Sequence, residues 1–234
     1  LFENVEGYKI PVLGNAFGSL KRLKMALNIE NFEEIGERMT SLTKLRIPHG
    51  LLDKFKMLPK LSELSDYSPK NINSGPVMEV IETSNPTLDS LPIIKSFPKD
   101  SGRFITFGIT VSKNPETEIR NLGVYRLQVI SSKKAIMHWQ VHKRGALHYQ
   151  MNKDNMQKTE VAIIIGADPA TVFSAVAPVP EGLDKFLFAG ITRKKGIELV
   201  KCRTIDVEVP ASAEIVLEGY VDPTDLNIEG PFGD

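Results

Sequence analysis

Apolar and polar positions change period twice along this chain. The run Tyr8 to Leu13 reads as a short apolar strand entering Gly14-Asn15, and beyond it Leu20, Leu23, Met25, Ala26 and Leu27 recur at helical spacing. Asn31 suits the N-cap of a second helix through Ile35 and Met39, with Glu33 and Glu34 in its first turn. A third short helix is expected over Leu51 to Met57, stopped by Pro59. Residues 60–100 lose periodicity and gather Ser65, Asp66, Ser68, Pro69, Asn71, Asn73, Ser74, Gly75 and Pro76, with Pro86, Pro92 and Pro98 following. That composition marks a boundary between an N-terminal α/β region, 1–75, and a larger second region, 76–234.

After Lys99-Asp100 the pattern becomes strand-like. Runs at Phe104 to Val111, Val124 to Ile130, Ala135 to Val141 and Val161 to Ile165 read as strands, with 131–134 as a hairpin turn between the second and third. Asp168-Pro169 is an N-cap followed by proline at the first helical position, opening a helix through Ala177, and Gly182 to Ile191 reads as another. Strands at Ile197 to Lys201, Ile205 to Val209 and Ala213 to Val221 complete an α+β region built on a barrel-like sheet.

Composition narrows the function classes. The 234 residues carry 29 Lys+Arg against 29 Asp+Glu, a formal net charge of zero that supplies no basic field for nucleic acid. No run of 18 apolar residues or signal-like opening is present, so a cytoplasmic protein without a membrane span is expected. One cysteine, Cys202, excludes an intrachain disulfide and a multi-cysteine metal site. Frequent Lys, Glu and Ile beside scarce Gln and Cys lean toward a thermophile composition.

The common nucleotide-loop, nucleophile-elbow and zincin motifs are missing, and two other clusters carry chemistry. From Asn121 to Tyr149 lie His138, His142 and His148, the cations Arg126, Lys143 and Arg144, and the single Trp139. Strand alternation would put His138, Gln140 and His142 on one face opposite Arg126, a crowding of like charge that invites an anion or metal. A solvated sheet face is the plain alternative. The second cluster, Glu229-Gly230-Pro231-Phe232-Gly233-Asp234, sets two carboxylates across a short glycine-bounded turn. Facing carboxylates push one pKa up, which suits a proton donor, while an ordinary surface turn with two solvated acids explains the same residues.

Taken together, GYKIPVLGN, NLGVYRLQV, MHWQVHKRGA, GADPATVFSAVAPVPEG, VKC with VPASAEIVLEGY, and EGPFGD resemble the UbiD family of reversible decarboxylases across the whole chain. The resemblance implies a split β-barrel that binds prenylated flavin mononucleotide (FMN), with a small N-terminal α/β region beside it. It implies non-oxidative decarboxylation of an α,β-unsaturated or aromatic acid. Family members are longer, so this sequence is expected to correspond to the middle of one, with a few tens of N-terminal residues and a C-terminal domain absent and its own activity reduced.

By motif, Arg126, Glu229 and Asp234 take the catalytic positions, with Asp234 as proton donor and Glu229 tuning Arg126. Asn121 and His142 take metal-ligand positions for Mn²⁺ or Mg²⁺, with K⁺ as a candidate companion. Val124, Tyr125, Arg126, His138, Trp139, Gln140, Lys143 and Arg144 fall where the family contacts its cofactor. One position departs: the family's glutamate ligand falls on Lys185, which when protonated has no acceptor for a cation. Asp184 could take that role, the Lys185 ammonium could replace part of the metal's charge, or metal binding could be weakened.

The resemblance leaves two substrates open, trans-anhydromevalonate 5-phosphate giving isopentenyl phosphate, toward which the composition leans, and a 4-hydroxy-3-polyprenylbenzoate of quinone biosynthesis. Lys185 also admits a non-catalytic flavin-binding or assembly subunit. A flavin prenyltransferase as cofactor supplier and a homo-oligomeric state complete the expected partners, with no nucleic acid among them.

Overall fold

Local signals set most of the helices. The computed structural model describes residues 1–43, 62, 64–179 and 182–233, so the helix expected at Leu51 to Met57 lies outside the described residues. Helix α1 (Leu20–Leu27) is capped by the Ser19 hydroxyl and ends at Asn28 in the left-handed conformation. Helix α2 (Glu33–Thr43) begins with a reciprocal capping box. The Asn31 side chain accepts from Glu34 N–H, while the Glu34 carboxylate accepts from the Asn31 and Glu30 amides. The expected strand at Tyr8 to Leu13 shrinks to one bridge between Phe2 and Val12, because this exposed segment lacks an apolar face to bury and Pro11 has no N–H to pair.

Three sheets form among the described residues, the first of them taking its strand β1 from the region expected to be N-terminal, 1–75. Strands β1 (Lys70–Asn71), β8 (Glu198–Lys201) and β9 (Glu208–Pro210) form one, with β1 parallel to β8. Strands β3 (Ile109–Lys113), β4 (Arg120–Val124), β7 (Thr159–Ile165) and β10 (Ile215–Val221) form an antiparallel sheet in the order β10-β7-β3-β4. Strands β2 (Phe104–Ile105), β5 (Leu127–Ser131) and β6 (Lys134–Met137) form the third. Two runs expected to be continuous are therefore split: Phe104 to Val111 divides between β2 and β3, and the second run changes sheet at Tyr125-Arg126. Ile105, Leu127, Val161 and Ile163 pack together from the latter two sheets.

A larger apolar core lies beneath the helices α4 (Pro169–Val176) and α5 (Lys185–Arg193), joining them to the four-stranded sheet and to Leu199, Val207 and Val209. Asp168 caps α4 through two amides and Asp184 caps α5, as the Asp-Pro signal led one to expect for the first. Helix α3 (Arg144–Asp154) was not apparent in the sequence. It buries Gly145, His148 and Asn152 instead of an apolar stripe, so it lacks the usual period.

His148 is 4% exposed on α3, and its Nδ1 lies 2.9 Å from the Ser112 hydroxyl of β3. Burial, and then the positive Arg144, push its pKa down to about 4, so the folded protein holds it neutral. The unfolded chain binds that proton more tightly, and stability is expected to fall as pH drops from about 6.5 to about 4, by about 3 kcal/mol. His148→Gln should flatten the urea-unfolding free energy across that window. An unchanged pH slope in the variant would remove His148 as its source.

Candidate active site

The site forms where β4 gives way to β5. The chain leaves the four-stranded sheet at Val124, and β5 joins β2 and β6 at Leu127, so Tyr125 and Arg126 occupy the corner between sheets. Tyr125 is buried and its hydroxyl accepts the Gly145 amide at 3.2 Å, which ties the corner to the start of α3. Arg126 is half-buried and is met by the loop after β10. Its Nε and Nη2 each donate at 2.8 Å to one oxygen of Glu229, a bidentate pair closing 103 residues of chain.

His138 joins the same carboxylate, with Nδ1 at 2.7 Å from Glu229 Oε2. The Arg126 Nη2 is 3.4 Å from that Nδ1, but the Nδ1 hydrogen serves the carboxylate, so the arginine contact is proximity and not a second bond. Hydrogen bonds from Arg126, followed by His138, hold the Glu229 carboxyl below its usual range against the opposing effect of burial. Glu229 is thus a fixed anion here. Asp234, the other acid of the expected pair, lies outside the described residues.

The carboxylate loop is seated by residues that the sequence did not flag. Gln128 accepts the Gly230 amide at 2.8 Å, the Ser101 amide donates to Pro231 O at 2.9 Å, and Asp100 Oδ1 accepts the Gly233 amide at 2.7 Å. The Phe232 ring packs 4.7 Å from Phe104 and lies under the Arg126 guanidinium at 4.8 Å. Side chains at 230 or 233 would collide with Ser101 or Phe97, so both glycines serve close approach.

The expected face of His138, Gln140 and His142 does not exist as a strand. Strand β6 ends at Met137 because its partner β5 begins at Leu127, and only one further bond, His138 N–H to Arg126 O, continues the ladder. Gln140, His142 and Lys143 are exposed on the turn into α3, while His138 and Trp139 are half-buried. Trp139 packs between the Tyr125 and Tyr149 rings. Val124 ends β4, half-buried, and Asn121 is 3% exposed on the same strand.

A second charged group gathers around the start of α3. Lys143 is its N-cap and supplies no side-chain cap bond, and Arg144 is its first residue, so two cations stand at the positive end of a helix dipole. Lys185 is 9% exposed, with Nζ donating to Leu122 O at 2.7 Å and Ala175 O at 2.9 Å. Burial, then Arg144 and Lys143, bring its pKa down to about 8, so it keeps its proton at neutral pH. No carboxylate among the described residues pairs with Lys185, Lys143 or Arg144.

At the expected divalent-metal site, Asn121 is buried, His142 is exposed on the turn into α3, and the position where the resemblance puts an acid carries the Lys185 ammonium. Among the described residues, no three His, Cys, Asp or Glu side chains group as metal ligands. Asp184 is engaged at both oxygens, taking the Phe186 amide at 2.7 Å and Arg120 Nη2 at 2.6 Å. A phosphorylated flavin fits better. The Nδ2 of Asn121 and the Nε1 of Trp139 are buried donors with no partner among the described residues, and the cations around α3 have no fixed anion.

Residues 70–234 match the UbiD domain described as 3-octaprenyl-4-hydroxybenzoate carboxy-lyase Rift-related, and 1–39 match the corresponding N-terminal domain. An uncharacterized protein of Aquifex aeolicus is 50% identical over all of this chain and 48% of its own length, and one of Archaeoglobus fulgidus is 47% identical over the same shares. The chain spans about half the length of these curated relatives. Among solved structures, the UbiD-class enzyme HmfF of Pelotomaculum thermopropionicum in complex with FMN superposes with a TM-score of 0.84 at 28% identity, over 100% of this chain and 48% of that one. The vanillic acid decarboxylase of Sedimentibacter hydroxybenzoicus, in closed form, gives 0.82 at 25% identity over 100% and 48%. The described residues include no helix long and apolar enough to cross a membrane.

Because Asp100 receives the Gly233 amide, Asp100→Ala should free the carboxylate loop without disturbing the sheets. Amide exchange at 230–233 is expected to accelerate roughly tenfold or more, with β7 unaffected. Unchanged protection at Gly233 would show that other contacts seat the loop.

Proposed function

The chain belongs to the UbiD family, and from that premise we propose that its protein carries out non-oxidative, reversible decarboxylation of an α,β-unsaturated or aromatic carboxylic acid with prenylated FMN. The observation that carries this reading is the Arg126–Glu229 pair set at a corner between sheets, together with buried donors on Asn121 and Trp139 that have no partner among the described residues. Asn121, Lys143 and Arg144 would hold the flavin phosphate. On the motif match, Val124, Tyr125, Arg126, His138, Trp139 and Gln140 would line the rest of the cofactor. When bound, the modified flavin supplies an electron sink for the breaking carbon–carbon bond.

The protein's own residues have the remaining tasks. The Arg126 guanidinium is held in one plane by Glu229 and by the Phe232 ring beneath it, so it can orient a substrate carboxylate without first losing side-chain freedom. Glu229 offsets part of that charge, which keeps the carboxylate from being trapped as a permanent ion pair. After carbon dioxide leaves, the carbon needs a proton, and the ionised Glu229 is poorly suited to give one. Asp234 takes that role on the motif match.

Within the substrate class, trans-anhydromevalonate 5-phosphate giving isopentenyl phosphate is the reading favoured by the whole-chain resemblance and the Lys- and Glu-rich composition. A 4-hydroxy-3-polyprenylbenzoate is the alternative. A flavin prenyltransferase would supply the cofactor, and a homo-oligomer is proposed for the complete protein.

Arg126→Ala in the cofactor-loaded protein should lower carbon dioxide release by roughly 10²–10³-fold, the range for removing one preorganised electrostatic group. Flavin retention should stay close to that of the parent. The assay uses a panel of unsaturated and aromatic acids containing both named substrates. Undiminished turnover by Arg126→Ala would overturn the assignment of Arg126, and no turnover of any acid by the loaded parent would favour a non-catalytic flavin-binding subunit.

A further inference from the structure

Resting on the flavin reading above, we infer that the Lys185 ammonium is itself the cation at the flavin phosphate, so that this protein holds a phosphorylated flavin without a divalent metal. The argument begins with the cost of burying a charge. An ammonium that is 9% exposed and has no carboxylate partner among the described residues is expensive, and two carbonyl acceptors satisfy only two of its three donors. One acceptor, Ala175 O, lies in the last turn of α4, where a cation is favoured, but a helix end alone accounts for a single contact.

The surroundings add to the imbalance. Lys185 is anchored to Leu122 O, next in the chain to Asn121, whose Nδ2 is buried and without a partner among the described residues. Lys143 and Arg144 are near enough to act on Lys185, and they stand at the N-terminus of an eleven-residue helix, where an anion and not a cation is the natural neighbour. Arg144 bonds Val179 O at 2.9 Å, which fixes it in place without neutralising it. A phosphate monoester carries close to two negative charges and three strong acceptor oxygens. It would answer the ammonium, the orphan amide and the helix end together. Asp184, the nearby carboxylate, is committed to Arg120 and to capping α5, so it does not compete.

The test measures FMN and riboflavin binding to the complete protein by flavin fluorescence, in EDTA and in Mn²⁺. Riboflavin lacks the phosphate and so reports the ring site and the fold alone. For the natural protein, FMN affinity is expected to differ less than twofold between EDTA and Mn²⁺. Lys185→Met should weaken FMN at least tenfold and leave riboflavin unchanged. Lys185→Glu should bind FMN weakly in EDTA and recover it in Mn²⁺, a gain that misfolding cannot produce. A tenfold or larger loss of FMN by the natural protein in EDTA would overturn the inference while leaving the flavin reading intact. So would a Lys185→Met variant that keeps riboflavin and holds FMN as tightly as the parent. Failure of the natural protein to bind either flavin in either buffer would instead bring down the flavin reading, and the inference with it.

Discussion

The site depends on one topological constraint: two neighbouring strands leave one sheet for another at the same level. Ile109 pairs with Val124 in the four-stranded sheet, and Ile105 pairs with Leu127 in the facing one, so the breaks at 106–108 and 125–126 lie opposite each other. At that corner strand alternation no longer fixes both side chains, and Tyr125 is buried while Arg126 is left half-buried. Arg126 stands there for that reason, half-buried, with its charge available to the loop that returns from β10. Continuous strands would have sent it to an ordinary wet face, where its pairing with Glu229 would have contributed little.

Charge is treated differently at the two ends of the site. At the corner, Arg126 is matched by a bidentate carboxylate and stacked on Phe232, so its charge is compensated inside the chain. Around α3 the compensation among described residues comes only from carbonyl oxygens. A protein that folds with a buried ammonium and no carboxylate partner among the described residues accepts an electrostatic cost, which a bound anion would relieve. The first arrangement fixes a guanidinium in place, whereas the second leaves positive charge without a fixed anion among the described residues.

Features encoded over short distances were legible in the sequence. The Asn31 cap of α2, the Asp168-Pro169 start of α4 and the hairpin between β5 and β6 each need only a few adjacent residues. The motifs carrying Arg126 and Glu229 were legible by resemblance, and the structure brings those two side chains together. The sheet switch was not legible, since Phe104 to Val111 has the apolar content of one strand and only tertiary packing divides it. The misread His138 to His142 face followed directly from that, because the length of β6 is set by where β5 begins. Helix α3 escaped notice because its buried face is polar, with His148 and Asn152 in place of leucines.

The carboxylate loop shows how a turn-like sequence can be a packing element. An ordinary surface turn with two solvated acids also explained its residues, yet the glycines' lack of a side chain is used to bring backbone against Ser101 and Phe97. The three bonds that seat it come from Gln128, Ser101 and Asp100, more than a hundred residues earlier, so no local pattern could reveal them. Phe232 fills the space between Phe104 and Arg126, and any shift of the loop would have to withdraw that ring from both. The position of Glu229 is therefore set by apolar packing and backbone hydrogen bonds, and its ion pair with Arg126 inherits that position. A carboxylate placed in this way owes its geometry to the packing around it and not to the charge on its partner.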